Sequence, residues 1–210
     1  MSVIFLAQAG IHENKKEWIE EALYQIQLHV KYLYDKGCGL LHHGWSFIRN
    51  DNFGGVFWGR GNSWFTYGVL ELMDILDEYM DVAEKRMLIA TFRAQVEALI
   101  RLQAENGLWH TILDDPTSYE EVSGTAAIAA GLFKAIRIGV LDVACLPYAE
   151  KALAGILGNI TEDGTVLNVS AGTAIGQDAE HYKNIIIDRM PYGQSMVILA
   201  LTEAAQYFNK

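Results

Sequence analysis

Apolar residues recur at three- and four-residue steps along nearly the whole chain, a period that fits one face of an α-helix and excludes extended strands as the main element. Trp18, Ala22, Ile26, Val30 and Leu33 open the pattern after Asn14 and stop before Gly37, predicting a helix over 14–35. Asn62 and Ser63 are N-cap types ahead of Val69, Leu72, Leu76 and Tyr79, predicting a helix over 63–80, and Met87–Leu102 predicts the next. Ser118 with Glu121 reads as a capping box for Ala126–Ile138, which Gly139 closes. Asp142–Leu157 and Gln194–Phe208 supply two more, and Met1–Ala9 is apolar and helix-compatible without a cap. Only 165–169 and 184–187 have strand character.

A short turn punctuates this series. Gly39-Leu40-Leu41, Gly107-Leu108-Trp109-His110 and Gly164-Thr165-Val166 each follow a predicted helix, 68 and then 57 residues apart. Such an interval holds two helices and their connections, so the repeating unit is a helical hairpin. The expected fold is therefore all-α, about seven helices in consecutive antiparallel hairpins, forming a solenoid or a toroid. No Pro/Gly/Ser-rich linker divides it, so residues 1–210 are expected to form a single domain.

Composition narrows the function. An apolar fraction of 51% with 11% aromatic residues excludes a disordered chain. A net charge of −10 opposes nucleic acid and anionic lipid as partners. No apolar run approaches the ~20 residues of a membrane span, and MSVIFLAQAG lacks a basic export-signal region. Cys38 and Cys145 are isolated, and His110 and His181 have no partner at metal-ligand spacing, so neither a disulfide nor a metal site is expected. HExxH, GxSxG and GxxxxGK[ST] are all absent, and the sequence suggests no cofactor. These features together suit a soluble, cytoplasmic protein.

The richest stretch is Gly39–Trp64, a glycine-rich connection with two histidines, three tryptophans and two arginines. Aromatic faces beside fixed polar groups are what a sugar site needs, although the same tryptophans can pack as a satellite core beneath the loop. Arg60, between Gly59 and Gly61 at a helix start, is placed to meet a carboxylate, and an ion pair or cap is its structural alternative. Of the adjacent His42 and His43, one is expected to face a cavity and the other to pack. Asp114-Asp115-Pro116 reads as a turn, and Glu120-Glu121 as an ordinary acidic helix start.

Gly39-Leu40-Leu41-His42-His43-Gly44-Trp45 and Trp58-Gly59-Arg60-Gly61-Asn62-Ser63-Trp64 resemble the GL-x-x-H-x-W and W-x-R-G-x-x-W loops of the unsaturated glycuronyl hydrolases, glycoside hydrolase families 88 and 105. Gly107-Leu108-Trp109-His110, Tyr119–Ser123 and Ile138-Gly139 follow in the order of the rhamnogalacturonyl branch, and the resemblance runs from Met1 to about Gln206. It implies hairpins of an (α/α)6 toroid, incomplete in this chain as its C-terminal portion. It also implies a substrate, an oligosaccharide with a 4,5-unsaturated uronic acid at its non-reducing end, as released in pectin and rhamnogalacturonan breakdown. The reaction would be hydration of the enol ether. His43, Arg60 and Trp64, with Trp58 beside them, match the family's pocket and would bind the uronate and its hydroxyls.

The sequence departs from the family in two places. Ser46 stands where an aspartate usually follows the loop tryptophan, and Met1–Ala7 resembles the end of a helix whose catalytic aspartate would precede Met1. No catalytic residue is therefore assigned. The expectation is a hydrolase that is inactive or weakly active as this chain alone, with a non-catalytic sugar-binding or structural remnant as the alternative. A sugar isomerase using His43 and His110 as bases fits the W-x-R-G-x-x-W loop poorly. Hairpin flanks left exposed are expected to drive self-association.

Overall fold

The structure, a computed structural model, describes residues 2–209, so Met1, at which the resemblance begins, and Lys210 lie outside it. It contains eight α-helices among the described residues: α1 (Ser2–His12), α2 (Lys16–Leu33), α3 (Gly59–Ile75), α4 (Val82–Arg101), α5 (Val122–Arg137), α6 (Leu146–Leu157), α7 (Ala179–Lys183) and α8 (Pro191–Phe208). A single 3-10 turn, Val143–Cys145, leads into α6. The segments with strand character form only isolated bridges, Ile160 with Val166 and Ser170 with Ile187.

Helices α1, α3, α5 and α8 lie side by side in one layer, and α2, α4 and α6 back α1, α3 and α5 from a second. The connections from α1 to α2 and from α3 to α4 are short, which makes each pair an antiparallel hairpin. α5 occupies the middle of its layer, with every residue from Val122 through Ala135 buried, and its alanine- and glycine-rich sequence suits that place. A Cβ on Gly131 would lie 2.8 Å from the carbonyl oxygen of Thr66 in α3, so the absent side chain sets the helix separation. α1 and α8 end the layer and expose Phe5, Ile198 and Phe208.

The glycine turns are one motif. Gly39, Gly107 and Gly164 adopt φ of +87°, +92° and +81°, the left-handed region that a side chain disfavours. In each, the glycine N–H donates to the carbonyl of Asp35, Ala104 or Thr161, whose own N–H donates to the carbonyl of the residue after the glycine. The turns end α2, α4 and α6 and start the long connections to α3, α5 and α8. All three connections consequently gather at one end of the molecule, where α3, α5 and α8 begin. They pair in sequence, Gly59 N–H to Thr111 O at 2.8 Å and Val122 N–H to Asn168 O at 2.9 Å.

Several helix starts differ from the sequence expectation. α3 begins at Gly59 because Asn62 is occupied elsewhere: its amide accepts from Leu41 N–H and donates to Leu41 O, both at 2.8 Å. α4 begins at Val82 behind a complete capping box of Asp81 and Glu84, a signal present in the sequence upstream of the apolar run. For α5 the N-cap is Glu121 itself, accepting from Gly124 N–H, whereas Ser118 braces the preceding loop through Ile112 and Asp115.

Candidate functional site

A cavity of about 220 Å³ opens between α1, α2 and α3 beneath the first long connection. Ile4, Ile26, Leu33, Phe65 and Val69 form its apolar wall, while His29, His42, His43, Trp58 and Trp64 bring rings and polar atoms to it. Three of the four residues expected at a sugar site, His43, Trp58 and Trp64, therefore share one cavity. Trp64 is half-buried, projecting from the first turns of α3, and Trp58 is buried just ahead of that helix.

Arg60 departs from expectation. It does not line the cavity, and its guanidinium is buried, 4.8 Å from the ring of Trp58 and 4.7 Å from that of Tyr192. Its terminal nitrogens are taken up by the protein: Nη1 donates to Ser123 Oγ, to the Ser170 carbonyl and hydroxyl, and to Glu121 at 3.4 Å. Nη2 donates to Ala171 O and Thr173 Oγ1. Glu121 in turn accepts from Ser123 Oγ at 2.7 Å, Gly124 N–H at 2.6 Å and Ser170 N–H at 3.0 Å. This closed network joins the starts of α3 and α5 to the 170–173 loop, and it occupies the terminal nitrogens of the Arg60 expected to hold a uronate. Its partners come from 61 and 110 residues downstream, and no local pattern announces them.

The two histidines were expected to diverge, one to a cavity and one to packing, but both line the cavity. His42 stacks on Phe57 at 4.4 Å, its Nδ1 lies 2.9 Å from Gly55 O, and its Nε2 is 3.5 Å from Asp35. His43 packs against Trp58 at 4.3 Å, and its Nδ1 is 2.6 Å from the hydroxyl of Tyr182. Tyr182, on the short helix α7, is buried with Trp58 and Ile112 and was not singled out by the sequence. Its helix has five residues and no apolar stripe to mark it.

Burial first, then the charges of His181 and Arg60, lowers the His43 pKa to about 4 from its ordinary value of 6.5. His43 is thus neutral near pH 7. The unfolded chain takes up this proton at higher pH than the folded one, so His43's contribution to stability is full above about pH 6.5 and is lost as pH falls toward 4. His43→Gln is expected to flatten that part of the stability profile. Denaturant midpoints for both proteins at pH 4.5 and 7 measure this, and parallel profiles would refute a depressed His43. No cluster of histidine, cysteine, aspartate or glutamate suited to a metal ion occurs among the described residues, and no described helix is long and apolar enough to cross a membrane.

Two layers of helical hairpins, with an aromatic and histidine-lined cavity at the end where their connections meet, define an α/α-hairpin protein of the (α/α)6 toroid type. The chain belongs to Glycosyl Hydrolase Family 88, which it matches over residues 1–208. It is 34% identical over 206 residues to the unsaturated rhamnogalacturonyl hydrolase YesR of Bacillus subtilis, covering 97% of this chain and 57% of that protein. A crystal structure of a possible GH105 member from Salmonella enterica serovar Paratyphi A superposes with a TM-score of 0.96 at 43% identity, over 99% of this chain and 55% of that one. A second, from Klebsiella pneumoniae, gives 0.93 at 42% identity, over 97% and 53% respectively. The chain thus spans a little over half the length of these relatives.

Proposed function

We propose that these residues form the sugar-binding part of a hydrolase of oligosaccharides that end in a 4,5-unsaturated uronic acid, of the kind produced in rhamnogalacturonan breakdown. The observation that carries the reading is the convergence of His43, Trp58 and Trp64 on one cavity in a chain matching Family 88 over nearly its whole length. In this reading Trp64 stacks on a sugar ring and His43, neutral, offers its Nε2–H to a hydroxyl or carboxylate oxygen. Arg60 acts one step back, keeping Trp58 in place. The reaction adds a proton and then water across the enol ether, and the hemiketal so formed collapses to free the neighbouring sugar. None of the described residues lining the cavity is a carboxylic acid, so binding rather than proton donation is the part assigned to them.

The test is a titration of the protein with an unsaturated rhamnogalacturonan disaccharide, followed by tryptophan fluorescence. Saturable binding is expected, and Trp64→Ala is expected to weaken it about two- to tenfold, the worth of an aromatic contact of about 0.5–1.5 kcal/mol. Absence of saturable binding overturns the proposal. Unchanged affinity in Trp64→Ala removes the stacking role.

A further inference from the structure

We propose that Tyr182 is a positioning residue for His43, its hydroxyl donating to Nδ1 and so holding the ring in the tautomer that carries its proton on Nε2. The inference rests on the sugar-binding reading for its purpose, but not for its geometry.

A tyrosine hydroxyl has one hydrogen to give and lone pairs with which to accept. At Tyr182 one lone pair is taken by Gly176 N–H, which can only donate, at 3.1 Å. The other polar neighbour of the hydroxyl is His43 Nδ1 at 2.6 Å. If Nδ1 carried the ring proton it would donate to the hydroxyl as well, leaving the hydroxyl's own hydrogen with no acceptor among the described residues. Tyr182 is 1% exposed, so water offers no substitute, and an orphaned buried donor costs more than the alternative assignment. The hydroxyl therefore donates, Nδ1 accepts, and the proton of the neutral ring sits on Nε2. Burial raises the Tyr182 pKa despite the bond from Gly176, so the hydroxyl keeps its hydrogen at neutral pH. The groups facing the ring are Trp58, Tyr182, Arg60 and His181, none of them an anion that would draw a second proton onto it.

The consequence concerns specificity. His43 lines the cavity, and Nε2 has no hydrogen-bond partner within the protein among the described residues. A ring locked in this form presents a donor there and cannot serve as a base. It selects ligand oxygens that accept, a carboxylate or a hydroxyl lone pair, and it discriminates against a donor at that point. Tyr182 is itself held in place from outside: its carbonyl accepts from Tyr119 Oη at 3.2 Å, and the adjacent Lys183 pairs with Asp115 at 2.6 Å. The 112–119 loop thereby fixes the helix that fixes the tautomer.

The experiment is proton–nitrogen correlation NMR of the histidine rings in the ¹⁵N-labelled protein at pH 7, with the His43 signals assigned by their loss in His43→Gln. A protonated Nε2 and a bare Nδ1 are expected, and in Tyr182→Phe the two nitrogen shifts should move toward each other as the tautomers mix. A wild-type ring protonated on Nδ1, or a Tyr182→Phe spectrum unchanged at His43, overturns the proposal. A second readout needs the sugar. Tyr182→Phe should weaken unsaturated disaccharide binding about threefold or more, yet have no further effect in His43→Gln, whose amide nitrogen keeps a donor near the Nε2 position without needing the tyrosine. Equal losses in both backgrounds would mean that Tyr182 acts on packing alone and would overturn it. If the wild type binds no disaccharide, the sugar-binding reading fails while the NMR result still decides the role of Tyr182.

Discussion

Arg60→Ala and Glu121→Ala are each expected to destabilise the protein by about 3–5 kcal/mol, because either change strands its partner as an uncompensated charge in a buried setting. Both side chains are about 3% exposed, so water does not replace what is removed. Glu121 would lose the cation facing it while still holding three protein donors, and Arg60 would keep its carbonyl partners but lose the one carboxylate it touches among the described residues. Since each mutant removes the same pairing, the double substitution should cost clearly less than the two single losses together. Urea unfolding of the three variants measures this. Single losses below about 1 kcal/mol that simply add would show that the network is hydrated and energetically like a surface pair. The effect should reach the cavity through Trp58, whose ring lies 4.8 Å from the guanidinium, so disaccharide affinity should fall with Arg60→Ala even under conditions where the variant is folded.

The other large effect concerns chemistry. The 210-residue chain is expected to bind an unsaturated disaccharide without hydrating it at a normal enzymatic rate. A positioned general acid contributes about 10²- to 10⁴-fold to such a reaction, and that factor should be missing here. None of the described residues lining the cavity carries a carboxyl group, and one of its titratable rings, His43, has its pKa lowered to about 4 and so is almost entirely without its second proton at pH 7. Tyr182, whose pKa burial raises, is a poorer acid still. Disappearance of the ultraviolet absorbance of the conjugated double bond reports the rate directly. Turnover in the range of about 1–10³ s⁻¹ would show that a proton donor lies within these residues and that the cavity has been misread. If that activity vanished in His43→Gln but persisted in Trp64→Ala, the donor would be His43 itself.

The helical plan was legible because burial imposes a repeating interval on the sequence. α2, α6 and α8 fall close to the predicted spans, and the three recurring glycine turns share one backbone conformation. What escaped were features set by distant parts of the chain. Asn62 has the residue type of a cap, but its amide is spent on Leu41, and only the fold brings the two together. Tyr182 meets His43 across 139 residues of sequence, from a helix too short to show periodicity. Arg60 is the instructive case: the motif singled it out for a uronate, and the same planar fork is used here on two carbonyl and two hydroxyl groups of a neighbouring loop. A guanidinium has the same geometry in both roles, so the sequence alone gives no means of choosing between them.

The three glycine turns also separate what is constant in this architecture from what is free to change. Each turn has the same hydrogen-bond closure and delivers the chain to the same end of the molecule, where the next long helix starts from a fixed place in its layer. Between these two anchors the connections differ freely: 42–58 carries the histidines and tryptophans, 110–121 forms the brace, and 167–190 contains an extra helix. The first turn even takes one more residue than the other two without disturbing its closure. Such connections behave as cassettes held at both ends by a scaffold indifferent to their content. Ligand preference can therefore diverge by exchanging or resizing one cassette at a time, while the helices, which carry most of the buried apolar surface, continue to dictate that the chain folds at all.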